Sequence, residues 1–277
     1  MQQVKQMVKR VLGIQNIEKA NPLVNLNTFQ SWFCQWNAER LSITLEESTS
    51  RYRKSWNSFP AGHSGKGFRS FNDTSYDLFL PFYSDTPDQL FDSYAFYGPM
   101  HFLRMLSYEV DNWSGKQTVE SGLMSFPQVT ILDFGCGLAQ RSINLSQNLT
   151  HAGQKVKLVL ADIPTIRKEF LLWVGRKIKV ETSFLDCTKD EPLPVLPTCN
   201  FCIATEVFEH LVDPMKYLLK MDEALEPGGY LLTGVYDHEE EYMHVSPNLS
   251  SLRQELLSRG YEELGPYVLY QKPKNLQ

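Results

Sequence analysis

Several features are scarce in this chain, and each scarcity removes a class of protein. No apolar run approaches the roughly 20 residues a helix needs to cross a bilayer. The opening Met1-Gln2-Gln3-Val4-Lys5 also lacks the long apolar stretch of a secretory leader, so the expected compartment is the cytoplasm. Basic blocks are missing: 27 Lys and Arg stand against 32 Asp and Glu, giving a net charge of −5 and a pI near 5.7. A nucleic-acid surface needs the opposite balance, which makes nucleic acid an unfavoured partner. The 5 cysteines (Cys34, Cys136, Cys187, Cys199 and Cys202) are odd in number and scattered, which argues against a disulfide framework. Cys199-Asn200-Phe201-Cys202 has the spacing of half a zinc clip, but it opens an apolar strand and no second pair exists, so burial is the expected role. Internal repeats and low-complexity tracts are absent as well.

What is present is ordinary globular material, 277 residues with 42% hydrophobic and 21% charged content. That is enough for one substantial core, or a core with a smaller cap. The chain is organised around Val129-Thr130-Ile131-Leu132-Asp133-Phe134-Gly135-Cys136-Gly137-Leu138-Ala139. An apolar run of strand length ends on an acid, breaks into alternate glycines, and passes into a helical pattern at Leu138, Ile143, Leu145 and Leu149. Glycine suits such a turn because the backbone must approach a ligand without a Cβ in the way. Further apolar runs at 156–161, 178–185 and 199–204 close on Asp162, Asp186 and Thr205-Glu206. In an open parallel sheet these ends would gather around one crevice.

The expected order from there is strand 129–134, helix 138–150, strand 156–161, helix 164–176 and strand 178–185. Strand 200–205, helix 213–225, strand 229–236, helix 249–259 and a hairpin near 261–271 follow. The alternation predicts an α/β fold, a doubly wound, mostly parallel sheet with helices on both faces. Before it, Val4, Met7, Val8, Val11 and Leu12 mark a basic amphipathic helix, a pattern that can touch membranes but is expected here to dock on its own protein. Phe29, Trp32, Phe33 and Trp36 mark a second helix, capped by Asn27 or Thr28. Thr44 and Glu47 have capping-box spacing for a third over 44–58. Residues 60–69 form a glycine-rich loop whose His63, Lys66 and Arg69 suit a lid, and residues 76–108 are dense in Tyr and Phe, which suits a pocket for an organic substrate. His101, in an apolar helical stretch there, reads as a core residue. The polar stretch 111–128 is the best boundary, so residues 1–127 are expected to form a mainly helical cap and 128–277 the α/β core.

At this point the residues resemble a family, the S-adenosylmethionine-dependent methyltransferases of the Rossmann-like class. Ile131 to Ala139 is similar to that family's first motif, Thr205-Glu206-Val207-Phe208-Glu209-His210 to its fourth, and Leu225 to Leu231 to the turn before its fifth strand. The resemblance covers residues 128 to about 260 and is silent on residues 1–127. It implies S-adenosylmethionine as cofactor, held by Asp133, Gly135, Cys136, Gly137, Asp162, Ile163, Asp186, Cys187, Thr205 and Glu206. Asp162 would grip the ribose hydroxyls and Asp186 would face the adenine amine.

Methyl transfer asks for alignment of an incoming lone pair, exclusion of water and management of one proton. Glu206, Glu209, His210 and His244 are therefore the candidate catalytic residues, with His210 as base or orienting group. A similar Glu-x-x-Glu-His with a later His holds a divalent cation in ubiquinone-pathway O-methyltransferases and small-RNA 2′-O-methyltransferases. By that resemblance the same four residues are candidate ligands; the alternative is a metal-free site in which His210 acts alone. The expected function is O-methylation, at a hydroxyl or carboxylate, of a small-molecule or peptidic natural product. Alternatives are N- or C-methylation, RNA-end methylation, and a non-catalytic binding protein on the same fold.

Overall fold

The computed structural model describes residues 26–57, 105–106, 113, 115–164, 166–188, 190–238 and 244–274. The amphipathic segment at 4–12, the lid loop 60–69, His101 and nearly all of the aromatic stretch 76–108 lie outside the described residues.

The sheet grows outward from β1 (Val129–Phe134), an apolar run buried on both sides. It pairs in parallel with β2 (Val156–Asp162) on one side and β4 (Cys199–Ala204) on the other. Beyond them lie β3 (Glu181–Asp186) and β5 (Leu225–Thr233), also parallel. A C-terminal hairpin, β6 (Glu262–Gly265) and β7 (Leu269–Gln271), completes a 7-stranded sheet in the order β3-β2-β1-β4-β5-β7-β6, with β7 antiparallel to β5. The order reverses at β1, so the carboxyl ends of β1 and β4 flank the place where a ligand crevice forms.

Alternate residues of each strand face two separate cores. Val129, Ile131, Leu158 and Leu160 pack under α4 (Gln140–His151) and α5 (Ile166–Ile178). Leu132, Phe134, Val159 and Cys202 pack under α6 (Pro214–Ala224) and α7 (Ser250–Ser258). All five cysteines are free and buried, Cys199 and Cys202 included. Among the described residues no helix is long and apolar enough to cross a membrane.

The N-terminal part is helical where it is described. Helix α1 (Thr28–Leu41) is capped by Asn27 in a reciprocal box, Gln30 N–H donating to Asn27 Oδ1 at 2.8 Å and Asn27 N–H to Gln30 Oε1 at 2.9 Å. Its partner α2 (Leu45–Asn57) starts at Thr44, whose Oγ1 accepts from Glu47 N–H at 3.1 Å, while the Glu47 side chain turns to Arg51. The pair docks on α5 through aromatic rings: Phe33 meets Phe170 edge-on at 5.8 Å and Trp36 meets it at 5.5 Å. Trp173 Nε1–H donates to Glu39 Oε2 at 2.7 Å. The stretch read as polar and turn-rich carries α3 (Lys116–Leu123), with Val119 and Leu123 buried, and Trp113 stacks on Phe201 of β4 at 6.0 Å and 12°.

The third strand, expected from 178, starts at Glu181 because the preceding helix runs on to Ile178, and both bounds of the fifth strand move. The turn expected before the fifth strand lies within β5, where the pairing jumps from Cys199↔Leu225 to Phe201↔Tyr230. Lys272 holds this bulge by donating from Nζ to Leu225 O at 3.0 Å and from its N–H to Gly229 O at 2.9 Å, with Gly228 at φ +77°. At the other end β5 stops at Thr233, short of the expected 236, which releases Tyr236 and His238 from the sheet.

Candidate active site

The glycine turn after β1 is built as a cradle. Gly135 N–H and Cys136 N–H both donate to Ala161 O of β2, at 2.8 and 3.2 Å, which folds the turn back over the sheet end. Gly135 and Gly137 have φ of +64° and +53°. A Cβ at Gly135 would lie 2.5 Å from Val207 Cγ2, and one at Gly137 would lie 2.4 Å from Met105 Cε. Gly135 has no room for a side chain and Gly137 has room only if the Met105 tip moves, so a bare backbone lines the turn.

The register brings the acids of β2 and β3 beside it, with Phe134 opposite Ala161 and Asp162 opposite Asp186. Asp162 Oδ2 accepts from Gly137 N–H at 2.8 Å and Oδ1 from Ile163 N–H at 2.7 Å, so the acid is fixed against the turn. Oδ2 is also faced by the buried Arg167 guanidinium, Nη2 at 3.6 Å, while Oδ1 keeps capacity for a second donor. Cys187 N–H donates to Asp162 O at 2.9 Å, and Cys136 Sγ lies 4.0 Å from Asp162 Oδ2. Both thiols are buried, which pushes Cys136 well up and Cys187 to about 12. Asp186 holds Lys168 Nζ through both oxygens, at 2.7 and 2.8 Å, so a ligand amine there must share it with an ammonium. Asp133 is buried beneath the turn and accepts from Ser142 Oγ at 2.5 Å. Burial pushes its carboxyl up to about 7, against the downward pull of Ser142 and Arg141. These features fit the cofactor implied by the motifs: a side-chain-free cradle with a fixed acid at its rim.

Across the crevice, past β4, Thr205 Oγ1 accepts from Arg141 Nη1 at 3.1 Å. Glu206 is left-handed at φ 56°, a conformation rare outside glycine and one that clusters at functional sites. Its Oε1 accepts from Tyr236 Oη at 2.5 Å. Phe208–His210 forms one 3₁₀ turn, and Glu209 within it is fully buried. Among the described residues neither Glu209 carboxylate oxygen accepts a hydrogen bond. Burial, then the Glu206 charge, raises its carboxyl well above the ordinary range.

Glu209, His210 and His244 lie side by side, and Glu206 is linked to this group through Tyr236. The His210 and His244 rings are 5.2 Å apart, and His210 Nε2 lies 3.7 Å from Glu209 Oε1. The structure adds His238, whose ring is 4.9 Å from that of His244 and whose Nε2 is 3.9 Å from Glu209 Oε1. Tyr236 stacks on His238 at 4.3 Å. Backbone clamps hold the group: Val245 and Ser246 N–H donate to Glu209 O at 2.8 and 2.9 Å, and His238 N–H donates to Pro247 O at 2.8 Å. Asp237 Oδ1 accepts from Leu249 N–H at 2.9 Å, and its carboxylate pairs with Arg253. Sequence reasoning missed Tyr236 and His238 because both were read as strand end or loop; the alternate spacing Tyr236-Asp237-His238 just past an apolar strand was the available signal.

Residues 86–267 match the family model of a methyltransferase domain, a span that begins within the aromatic stretch. No curated protein matches the chain. Solved structures align with parts of the chain at low identity. The [4+2]-cyclase SpnF aligns with a TM-score of 0.41 and 15% identity, covering 54% of this chain and 56% of that one, so the chain spans little more than half its length. A SAM-dependent methyltransferase from Aquifex aeolicus aligns at 0.40 and 17%, covering 68% and 94%. One from Geobacter sulfurreducens, in complex with S-adenosyl-L-homocysteine, aligns at 0.37 and 13%, covering 53% and 63%.

Proposed function

The chain belongs to the S-adenosylmethionine-dependent methyltransferase family, and from that premise we infer that it transfers a methyl group to an oxygen, hydroxyl or carboxylate, of a small-molecule or peptidic natural product. The observation that carries this reading is the facing pair at the sheet's carboxyl end: the glycine cradle with Asp162 on one side, and Glu206, Glu209, His210 and His244 on the other. Bound in the cradle, S-adenosylmethionine supplies a methyl already activated for attack by a lone pair. Gly135 and Gly137 admit its amino-acid portion, Asp162 accepts from the ribose hydroxyls with its remaining lone pairs, and Asp186 meets the adenine amine beside Lys168.

The acceptor end then has one proton to manage. His210 is partly exposed, at 21%, and stands at the mouth of the Glu209 pocket, where an imidazole can take the proton of an incoming hydroxyl. Glu206, held by the Tyr236 hydroxyl, orients the acceptor oxygen. Residues 1–127 act as the cap that excludes water. Support comes from Met105, which lies against Gly137, from Gln140 Nε2 donating to Met105 O at 3.1 Å, and from Asn27 Nδ2 donating to Leu106 O at 2.8 Å. The acidic surface favours a neutral or cationic acceptor over RNA.

Calorimetric titration with S-adenosylmethionine, followed by an acceptor screen with isotopically labelled cofactor, tests the reading. Asp162→Ala should weaken cofactor binding by roughly 1.5–3 kcal/mol, the worth of a carboxylate that accepts two hydroxyls. Unchanged affinity in that variant would remove the assignment of Asp162, and absence of binding in the parent would remove the function.

A further inference from the structure

Glu209 presents a problem that the proton chemistry of His210 does not resolve. A carboxylate taken fully out of water costs several kcal/mol unless charge or hydrogen bonds compensate it. Among the described residues Glu209 receives no hydrogen bond at either oxygen. What surrounds it instead is imidazole. Glu209, His238 and His244 each offer one ligand atom, and these atoms lie within 4.8 Å of one another. Glu209 Oε1 lies 3.9 Å from His238 Nε2. Ligands placed 2.0–2.2 Å from a tetrahedral ion stand about 3.3–3.6 Å apart, so closing the set requires only small side-chain movements.

We propose that Glu209, His238 and His244 form a binding site for one divalent first-row transition ion. Two imidazoles with one carboxylate suit Zn²⁺, Mn²⁺ or Co²⁺ better than Mg²⁺, which takes oxygen ligands and keeps its water. Three protein ligands leave coordination positions open. This set is not the one the linear motif suggests. Glu206 is drawn off to the Tyr236 hydroxyl, and His238, absent from the motif, stands in. His210 borders the ion as a neighbour, its Nε2 3.7 Å from Glu209 Oε1.

The scaffold is built as metal sites usually are, with the ligand-bearing segments tied down by second contacts. The Glu209 carbonyl takes the N–H groups of Val245 and Ser246, at 2.8 and 2.9 Å, which fixes the residue beside His244 to the turn that carries Glu209. Ser246 Oγ donates to Leu211 O at 2.7 Å on the same turn. His238 is held by its own N–H to Pro247 O and by the Tyr236 ring. Asp237, between those two rings in sequence, is anchored to Arg253 of α7 at 3.0 Å.

The site deepens the methyltransferase reading by placing an ion at the acceptor end, and it rests on that reading only for its purpose. The test uses full-length protein stripped with chelator, titrated with Zn²⁺ by calorimetry and with Co²⁺ by visible absorption, alongside a separate S-adenosylmethionine titration. One equivalent of metal per chain is expected, with d–d bands of mixed nitrogen and oxygen ligation. His238→Ala and Glu209→Gln should each lower metal affinity by on the order of 100-fold or more, and Glu206→Gln should stay within about 3-fold of the parent. His244→Ala, at a partly exposed position, serves if Glu209→Gln fails to fold by circular dichroism. No stoichiometric uptake by protein that still binds S-adenosylmethionine would overturn the metal site and leave the methyltransferase reading standing. Uptake without cofactor binding would do the reverse. Loss in Glu206→Gln equal to that in His238→Ala would overturn the ligand assignment.

Discussion

Replacing Gly135 by alanine separates two forces that the cradle combines. The residue sits at φ +64°, where an L side chain is strained by about 1–2 kcal/mol. The new Cβ would also lie 2.5 Å from Val207 Cγ2, with further Val207 atoms at 3.4 and 3.5 Å. Valine is β-branched and stiff at χ1, so it cannot swing aside, and forcing a methyl into such packing costs about 1–3 kcal/mol. Reduced freedom of the unfolded chain returns about 0.4–1 kcal/mol. The net expectation is a loss of about 1–4.5 kcal/mol, centred near 3, or on the order of 10 °C in Tm for a chain of this size. Gly137→Ala is the control. It has the same kind of strain at φ +53°, but its Cβ meets Met105 Cε at 2.4 Å, the tip of a flexible side chain, with the next atoms at 3.9 Å. The strain of about 1–2 kcal/mol less the same return of about 0.4–1 should remain, a loss of about 1 kcal/mol. Chemical denaturation of both variants and of Gly135→Ala/Val207→Ala reads the difference. The double variant should lose less than the sum of its parts, because removing Cγ2 relieves the clash. If Gly135→Ala is no more destabilised than Gly137→Ala, and the double variant is additive, the cradle is not shaped by Val207.

Three further outcomes are expected. His210→Ala should lower turnover by roughly 10²–10⁴ with S-adenosylmethionine affinity intact; parental turnover at saturating acceptor would remove His210 from proton transfer. Asp133, pushed from 3.8 to about 7 by burial, holds in the folded state a proton that the unfolded chain releases. Its contribution to stability therefore falls as pH rises from about 4 to about 7 and is level above that. Asp133→Asn should gain on the parent across that window in denaturant titrations, and a gap that does not change with pH would refute the assignment. Trp113→Ala should cost about 3–5 kcal/mol, because the ring is buried and stacked 6.0 Å from Phe201, and a loss under about 1 kcal/mol would return residue 113 to the status of a linker.

Most of the sheet could be read from the sequence because local signals agree there. Apolar runs bounded by Asp162, Asp186 and Thr205 are short enough to be strands and spaced widely enough to need helices between them. Helix α1 was equally legible: Phe29, Trp32, Phe33 and Trp36 share one face, and Asn27 before them is a strong cap. The acceptor cluster was half legible. Glu206, Glu209 and His210 lie within one short string, whereas His238 comes from beyond β5. Extending that strand to 236 put Tyr236 inside the sheet; the chain in fact leaves it at Thr233, where Thr233 N–H turns to Val268 O at 2.7 Å. That contact spans 35 residues and has no local signature. The pairing of Lys168 with Asp186 was hidden for the same kind of reason, since helical pattern alone does not say which lysine reaches a strand end.

The docking of α1 on α5 also constrains how this architecture could be recombined. Phe33 and Trp36 rest on Phe170, and Glu39 and Arg40 reach Trp173 and Glu169, all on the helix that follows the acid of β2. A chimera that transplants residues 26–57 onto another sheet of this kind must therefore bring the outward face of α5 with it. Without that face the grafted helices would display the Phe33 and Trp36 rings to water, and the hybrid would self-associate before it could discriminate a new acceptor.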